Sequence, residues 1–410
     1  MIDFSILLNG NLLYAEHPLS EIKNMVEKSY VPVLETIVSE PAYRVTLNFT
    51  GFSLELLAGE HPDIYAGSPE AVSLIKEALS RGQVEVTGTS WAHMILPLAP
   101  LDLAVKDIKM YLKTVERVLD YRPTGFFPPE LCISPMMPEM IKFHGYRWTY
   151  VDRALIGLTG ENRLNAFNDF EPIPPSFNKK TAEVQFKGPL GQLRHARRME
   201  RDMRAMQDMA PIDWLGTEGE TVPAFGCEER WLAYVLICLA RISIMNEKRL
   251  FKMLDRAAAG YRGFLLLYSD IEMFGYGGNV VKDGIPVDRF RAFLEHARKN
   301  PAINYRLPSD YIADDRGERQ EVYLKSGSWS TEKDFKLWTD DPDNQVLNRT
   351  ALEAYRAFTA GKGALGERDR ESVLRDLLLA FNSDGRGWVP IPEHRLFCYN
   401  KALEVIRRMG

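Results

Sequence analysis

The sequence predicts an α/β protein built of parallel βα units, either a barrel or a doubly wound sheet. Three observations carry this reading. Short apolar runs recur along the first three hundred residues, and most stop in a polar loop before a segment of helical period. The run Phe264 to Tyr268 is apolar without a break, as expected of a strand buried on both faces. It ends in Ser269-Asp270-Ile271-Glu272, which puts carboxylates at the carboxyl end of a buried strand. Barrel enzymes hold their chemistry there. If the backbone stays extended, Asp270 and Glu272 face the same side. Gly275, Gly277 and Gly278 then suit a loop whose backbone approaches something closely. A solvated acidic turn is the bland alternative.

Taken in order, Phe4 to Leu8 reads as a first strand ending in Asn9-Gly10-Asn11. Leu19 to Ser39 has helical spacing. Strand Arg44 to Phe49 follows, then helices through Leu54 to Leu57 and from Ser68-Pro69 to Ser80. Strand Gln83 to Thr87 ends in Gly88-Thr89-Ser90-Trp91-Ala92-His93, and Asp102 to Leu119 is helical. Strand Gly125 to Phe127 ends at Pro128-Pro129-Glu130, helix Met137 to Phe143 follows, and strand Arg147 to Val151 ends in Asp152. The beat then breaks: 153–211 is rich in Pro, Gly, Asn and Lys and reads as a long excursion. Within it, Arg194 to Arg204 is a basic run, either a solvated helix face or an anion contact. Helices at Trp231 to Met245 and Leu250 to Tyr261 lead to the Asp270 strand. A helix at Pro286 to Lys299 and a strand at Ile303 to Leu307 close the barrel region at 1–312. The remainder, 313–410, reads as mainly helical, at Asn344 to Thr359, Glu367 to Leu379 and Asn400 to Met409. It also carries two aromatic loops, Gly327-Ser328-Trp329 and Asn382 to Trp388.

Composition narrows the function. The 410 residues are 45% hydrophobic and 26% charged, an ordinary globular balance. A net charge of −5 gives no attraction to nucleic acid or to anionic membranes. The 4 cysteines are widely spaced, which argues against a zinc ribbon and a disulfide scaffold. The apolar start Ile2 to Leu8 is too short and too polar for a signal or membrane segment, so the expected compartment is the cytoplasm. Homo-oligomerisation stays open.

The motif inventory is mostly negative. The 7 histidines form no His-x-His or His-x-x-x-His pair, so no metal and no organic cofactor is expected. There is no nucleotide-binding glycine loop and no G-x-S-x-G elbow. What remains is Glu130 and Asp270 at the ends of two strands, the inventory for glycoside hydrolysis by paired carboxyl groups. Aromatics near these ends, Trp91, Phe126, Phe127, Phe274 and Tyr276, fit sugar stacking, although core packing explains each singly.

In this order the motifs resemble those of glycoside hydrolase family 57. Gly82-Gln83-Val84-Glu85-Val86-Thr87 with His93 is similar to the second motif of that family, in its amylopullulanase-like form. Phe127-Pro128-Pro129-Glu130 is similar to the third, Asp270-x-Glu272-x-Phe274-Gly275 to the fourth, and Leu307-Pro308-Ser309-Asp310-Tyr311 to the fifth. Asn382-Ser383-Asp384 and Trp388 resemble a C-terminal loop that closes over the sugar. The resemblance implies an incomplete (β/α)7 TIM-like barrel with a C-terminal mainly helical region. It implies a retaining α-glycosidase on α-glucan or α-galactoside, with Glu130 as nucleophile and Asp270 as acid/base. The carbohydrate contacts to expect are Asn9, Asn11, Glu85, Trp91, His93, Phe127, Asp152, Glu272, Phe274, Tyr276, Asp384 and Trp388.

Two departures stand out. The family's first motif, His-x-His-Gln-Pro, is replaced here by Asn9-Gly10-Asn11-Leu12-Leu13, and Phe127 stands where Trp is usual. Asn can pair with hydroxyls but carries no imidazole charge. That points to a less usual specificity, α-galactosidase-like for example, or to a degenerate non-hydrolytic member. A transglycosylase in the same site is the nearest alternative. A metal-dependent deacetylase on a related barrel is disfavoured by the missing histidine pairs.

Overall fold

Seven parallel strands, described here from a computed structural model, form the wall of an incomplete barrel. They are β1 (Ile2–Gly10), β2 (Val45–Phe49), β3 (Val84–Val86), β4 (Gly125–Phe126), β5 (Trp148–Asp152), β6 (Thr221–Cys227) and β7 (Arg262–Asp270). The described residues are 1–158, 177–178, 183–184, 197, 200–201, 203, 208–242, 244–278, 281–314, 318–330, 332–387 and 390–410.

Two ladders make the wall. One runs β3-β2-β1-β7 and the other β6-β5-β4. A parallel bridge between Gly88 and Phe126 joins the end of β3 to β4. Among the described residues no ladder joins β6 to β7; side chains close that seam, with the rings of Phe225 and Phe264 at 4.8 Å. The strands read as continuous apolar runs because helices cover the outside while side chains fill the inside. Register then sets the site. Asn9 pairs with Asn48 on one side and with Asp270 on the other, so three polar side chains stand in a row across the carboxyl ends of β2, β1 and β7.

The sequence places one wall strand wrongly. Ile303–Tyr305 pairs only with the first residues of β1, at Ile2 to Phe4, below the point where β2 begins to pair. The true sixth strand is β6, which carries Pro223 and Gly226; these residues hide it from a propensity reading. It also forms an antiparallel pair with Ile212–Leu215. The excursion begins with a helix, Arg153–Leu158, and the rest of 153–211 lies largely outside the described residues. Of the basic run, Arg197 and Arg201 are described.

The C-terminal region is helical. Pro342–Gly361, Glu367–Ala380 and Pro392–Met409 pack on one another through Ala351, Phe358, Leu377 and Val405, all buried. Its loops are stitched onto the barrel by backbone bridges, Met94 with Asn382 and Ile133 with Gly327. Among the described residues no helix is long and apolar enough to cross a membrane.

Candidate active site

One cavity of about 320 Å³ opens at the carboxyl end of the barrel. Its lining includes Asn9, Asn11, His93, Phe127, Glu130, Asp270, Glu272 and Asp384. Eight of the expected contacts therefore come together. Six others do not line it, or lie outside the described residues. Glu85 is buried within the barrel, where Oε1 accepts from Thr46 at 3.3 Å. Trp91 is fully buried against Phe52, under the guanidinium of Arg375. Phe274 stacks on Phe290 in the core at 4.3 Å. Tyr276 donates to Glu21 at 2.8 Å outside the cavity. Trp388 is outside the described residues. Asp152 also stands back from the cavity, paired with Lys333 at 2.7 Å. Large aromatics beside strand ends are useful to a core and to a sugar alike, so sequence could not separate the two uses.

The chain positions Glu130 at a cost. His93, Glu130 and Leu131 all have left-handed backbone, with φ of 56°, 58° and 46°. Residues with side chains avoid this region, and such strain gathers at functional sites. The carboxyl group of Glu130 is held at both oxygens. Trp329 Nε1 donates to Oε2 at 2.6 Å and Ser383 Oγ donates to Oε1 at 3.3 Å. His93 Nδ1 lies 2.8 Å from Ser383 Oγ, 3.2 Å from Asp384 Oδ2 and 3.9 Å from Glu130 Oε1. Asn11 Nδ2 donates to Asp384 Oδ2 at 2.7 Å, while its Oδ1 accepts from the Leu13 amide. Asn11 thus orients Asp384 rather than presenting a free amide.

The charges follow from this geometry. Burial alone would lower the His93 pKa, but the Asp384 carboxylate, with Glu130 and Asp270 beyond, outweighs it and pushes the imidazole up to about 9. Burial raises Glu130, against which the His93 charge and the Trp329 bond work.

Asp270 stands in different company. A line of neutral donors runs across the strand ends to reach it. Thr87 Oγ1 donates to Asn48 Oδ1 at 2.9 Å, Asn48 Nδ2 to Asn9 Oδ1 at 2.6 Å, and Asn9 Nδ2 to Asp270 Oδ1 at 3.5 Å. Tyr14 donates to Asp270 Oδ2 at 3.1 Å. Burial raises the Asp270 pKa, aided by the like charge of Asp384 and opposed by these donors. Glu272 is fully buried; burial and Asp270 push it up to about 8. It accepts from the Asn11 amide at 3.3 Å and from Tyr30. Tyr30 belongs to a π-turn, Val26–Tyr30, inside an otherwise α-helical segment. That extra residue re-aims its side chain.

Two glycines explain local close approaches. A Cβ on Gly10 would lie 2.3 Å from the Phe49 ring, which lets Asn9 and Asn11 flank a bare backbone. Gly275, with φ of +96°, would bring a Cβ within 2.0 Å of the Lys28 carbonyl. The glycine-rich loop there approaches the chain itself.

The far wall of the cavity is aliphatic. Helix Glu229–Leu239 presents Glu229, Leu232, Ala233, Leu236 and Ile237, one face at helical spacing. The sequence did not mark this wall, nor Tyr14, Asn48 and Trp329, as part of the site, and it named Ser383 only within the loop motif. The tight loop residues gave no local signal, because their partners are distant in the chain.

Three groups also meet the needs of a cation. His93, Glu130 and Asp384 each bring one ligand atom within 4.8 Å of the others. No histidine spacing could have shown this, since they come from three separate segments. The same atoms are already joined by hydrogen bonds through Ser383 and Asn11.

Comparison with known proteins fits this geometry. Residues 9–179 match the family model for glycosyl hydrolase family 57. An alpha-amylase of Pyrococcus horikoshii is 28% identical over 131 residues, 32% of this chain and 19% of that protein. A 4-alpha-glucanotransferase of Thermococcus kodakarensis is 24% identical over 368 residues, 86% of this chain and 50% of that protein. The chain thus spans half the length of these curated relatives or less. A branching enzyme of the same family from Thermococcus kodakaraensis superposes with a TM-score of 0.70 at 16% identity, covering 100% of this chain and 89% of that one. At that identity the likeness is one of fold.

Proposed function

From the match of residues 9–179 to the glycosyl hydrolase family 57 model, we propose that the chain is a retaining α-glycoside hydrolase acting on α-linked hexose oligo- or polysaccharides. One observation carries the reading. Two half-buried carboxyl groups, from the ends of β4 and β7, line one cavity with different surroundings.

In the first step Glu130 attacks the anomeric carbon as the bond to the leaving oxygen breaks, and Asp270 gives that oxygen its proton. In the second, Asp270 takes a proton from water, whose oxygen displaces Glu130 from the same carbon. Burial, which raises the Asp270 pKa, suits the acid role. The His93 charge and the Trp329 bond favour an ionised Glu130. Asn9, His93 and Asp384, the last oriented by Asn11, form the polar side that takes the sugar, with the ring of Phe127 beside them. The α-galactoside option rests on the asparagines in place of the first-motif histidines.

Transfer to an acceptor sugar in the same site is a second reading. The aliphatic wall of Leu232, Leu236 and Ile237 favours it, because such a surface offers water no partner. Proton NMR of the first-formed anomer tests the core of the proposal. An α product from an α substrate is expected, and an initial β product would overturn retention. Aryl α-glucosides, aryl α-galactosides and maltooligosaccharides assayed together identify the sugar. Products longer than the substrate would mark transfer, and tight binding without turnover would mark a non-hydrolytic homologue.

A further inference from the structure

Trp329 lies in a C-terminal loop, 199 residues from Glu130 in sequence, yet its indole makes a 2.6 Å bond to the carboxyl Oε2. The loop is fixed from behind. Lys333 Nζ donates to the Trp329 carbonyl at 2.9 Å, to Asp152 Oδ2 at 2.7 Å and to Glu229 Oε1 at 2.9 Å. Asp152 ends β5, and Glu229 begins the helix after β6. Lys333 therefore ties the loop to two neighbouring strand ends, and it holds a left-handed backbone, φ 56°, while doing so. Only 13% of its side chain is exposed, so solvent does little to weaken the ties. The bridge from Gly327 to Ile133 pins the other end of the loop just past Glu130.

We propose that Trp329 is a positioning residue that fixes which oxygen of Glu130 attacks, and that Lys333, held by Asp152 and Glu229, sets the indole in place. This rests on Glu130 as the nucleophile. Trp329 occupies Oε2 in a short bond, while Oε1 has only longer contacts, from Ser383 at 3.3 Å and His93 Nδ1 at 3.9 Å. Oε1 is therefore the oxygen left to reach the anomeric carbon. The Trp329 bond also favours the carboxylate against burial. The other titratable groups facing Glu130 are His93, Asp384, Asp270 and the Cys132 thiol.

Trp329→Phe keeps the ring and removes the donor. It should lower kcat about tenfold to a hundredfold with KM within about threefold, and move the acid limb of kcat/KM to higher pH. Lys333→Met should act in the same direction but less, and should add nothing in the Trp329→Phe background. A raised KM with unchanged kcat and acid limb would make Trp329 a sugar platform and overturn the proposal. A second readout needs no activity. In ¹⁵N-edited NMR the Trp329 indole proton should shift as Glu130 titrates, and Glu130→Gln should abolish that shift. An indole resonance indifferent to Glu130→Gln overturns the proposal even if Trp329→Phe fails to fold. Full activity of Glu130→Gln would instead sink the nucleophile reading, a distinct result.

Discussion

Around Glu130 the neighbours are charged or strongly polar and come from three distant parts of the chain: His93 after β3, Trp329, and Ser383 with Asp384. The direct hydrogen-bond donors to Asp270 are neutral, and the line behind Asn9 comes from adjoining strands of one sheet, while the charges of His93 and Asp384 act on Asp270 from farther off. The difference is chemical. A cation near a buried carboxyl group fixes its charge, whereas neutral donors favour the carboxylate only modestly and leave burial to restrain it. A nucleophile has to stay ionised, and an acid/base has to change state twice per turnover. The two surroundings match those two demands.

The strongest way to break this comparison is to remove each carboxylate. Glu130→Gln should lower turnover by several orders of magnitude while leaving the fold intact, since the covalent step is lost. Asp270→Asn should lose less with an activated aryl leaving group, which needs no proton, than with a sugar leaving group. Equal losses for both substrates in both variants would erase the distinction between the sites.

The charged cage can be tested through stability. The folded pKa of His93, about 9, stands above the ordinary imidazole value of 6.5, so its contribution is complete below about pH 6.5 and is lost as pH rises through about 9. The contribution is at most about 3 kcal/mol. Melting temperature should fall between pH 6.5 and 10 more steeply in the wild type than in Asp384→Asn. Parallel curves would mean that His93 is not held charged by Asp384.

The neutral side predicts a smaller effect. Tyr14→Phe removes a donor to Asp270, so the acid should become weaker and the alkaline limb of kcat/KM should move up by about 0.5–1 pH unit. A shift of the acid limb instead would assign Tyr14 to the other carboxyl group. The smallest expected effect is none. Exhaustive chelation should leave activity unchanged if imidazolium, not metal, balances Glu130 and Asp384; loss restored by adding zinc back would overturn that.

The comparison also explains what sequence could convey. Asp270, Asn9 and the run of strands before them were legible because a strand end is a local pattern. So was Glu130, from Pro128-Pro129-Glu130 after a short strand. His93 and Asp384 were named through the family resemblance, but the bonds that join them around Glu130 were not legible, because they span up to 291 residues between His93 and Asp384. Trp329 sat in a loop conspicuous for its aromatic ring, but nothing nearby named its partner. β6 escaped because Pro223 and Gly226 argue against a central strand, and tertiary packing overrode them.

The stitching of the two C-terminal loops has a consequence for how such proteins can be recombined. The barrel alone would supply Glu130 without Trp329, Ser383 or Asp384, and so the proposed nucleophile with neither of these hydrogen bonds nor the carboxylate partner of His93. A chimera that grafts this barrel onto another protein's helical tail would inherit the strand ends and forfeit the cage. Crossovers placed near residue 313, where the composition changes, should therefore yield well-folded but crippled progeny. Those that exchange 327–334 and 382–387 together with the loops after β3 and β4 should breed true.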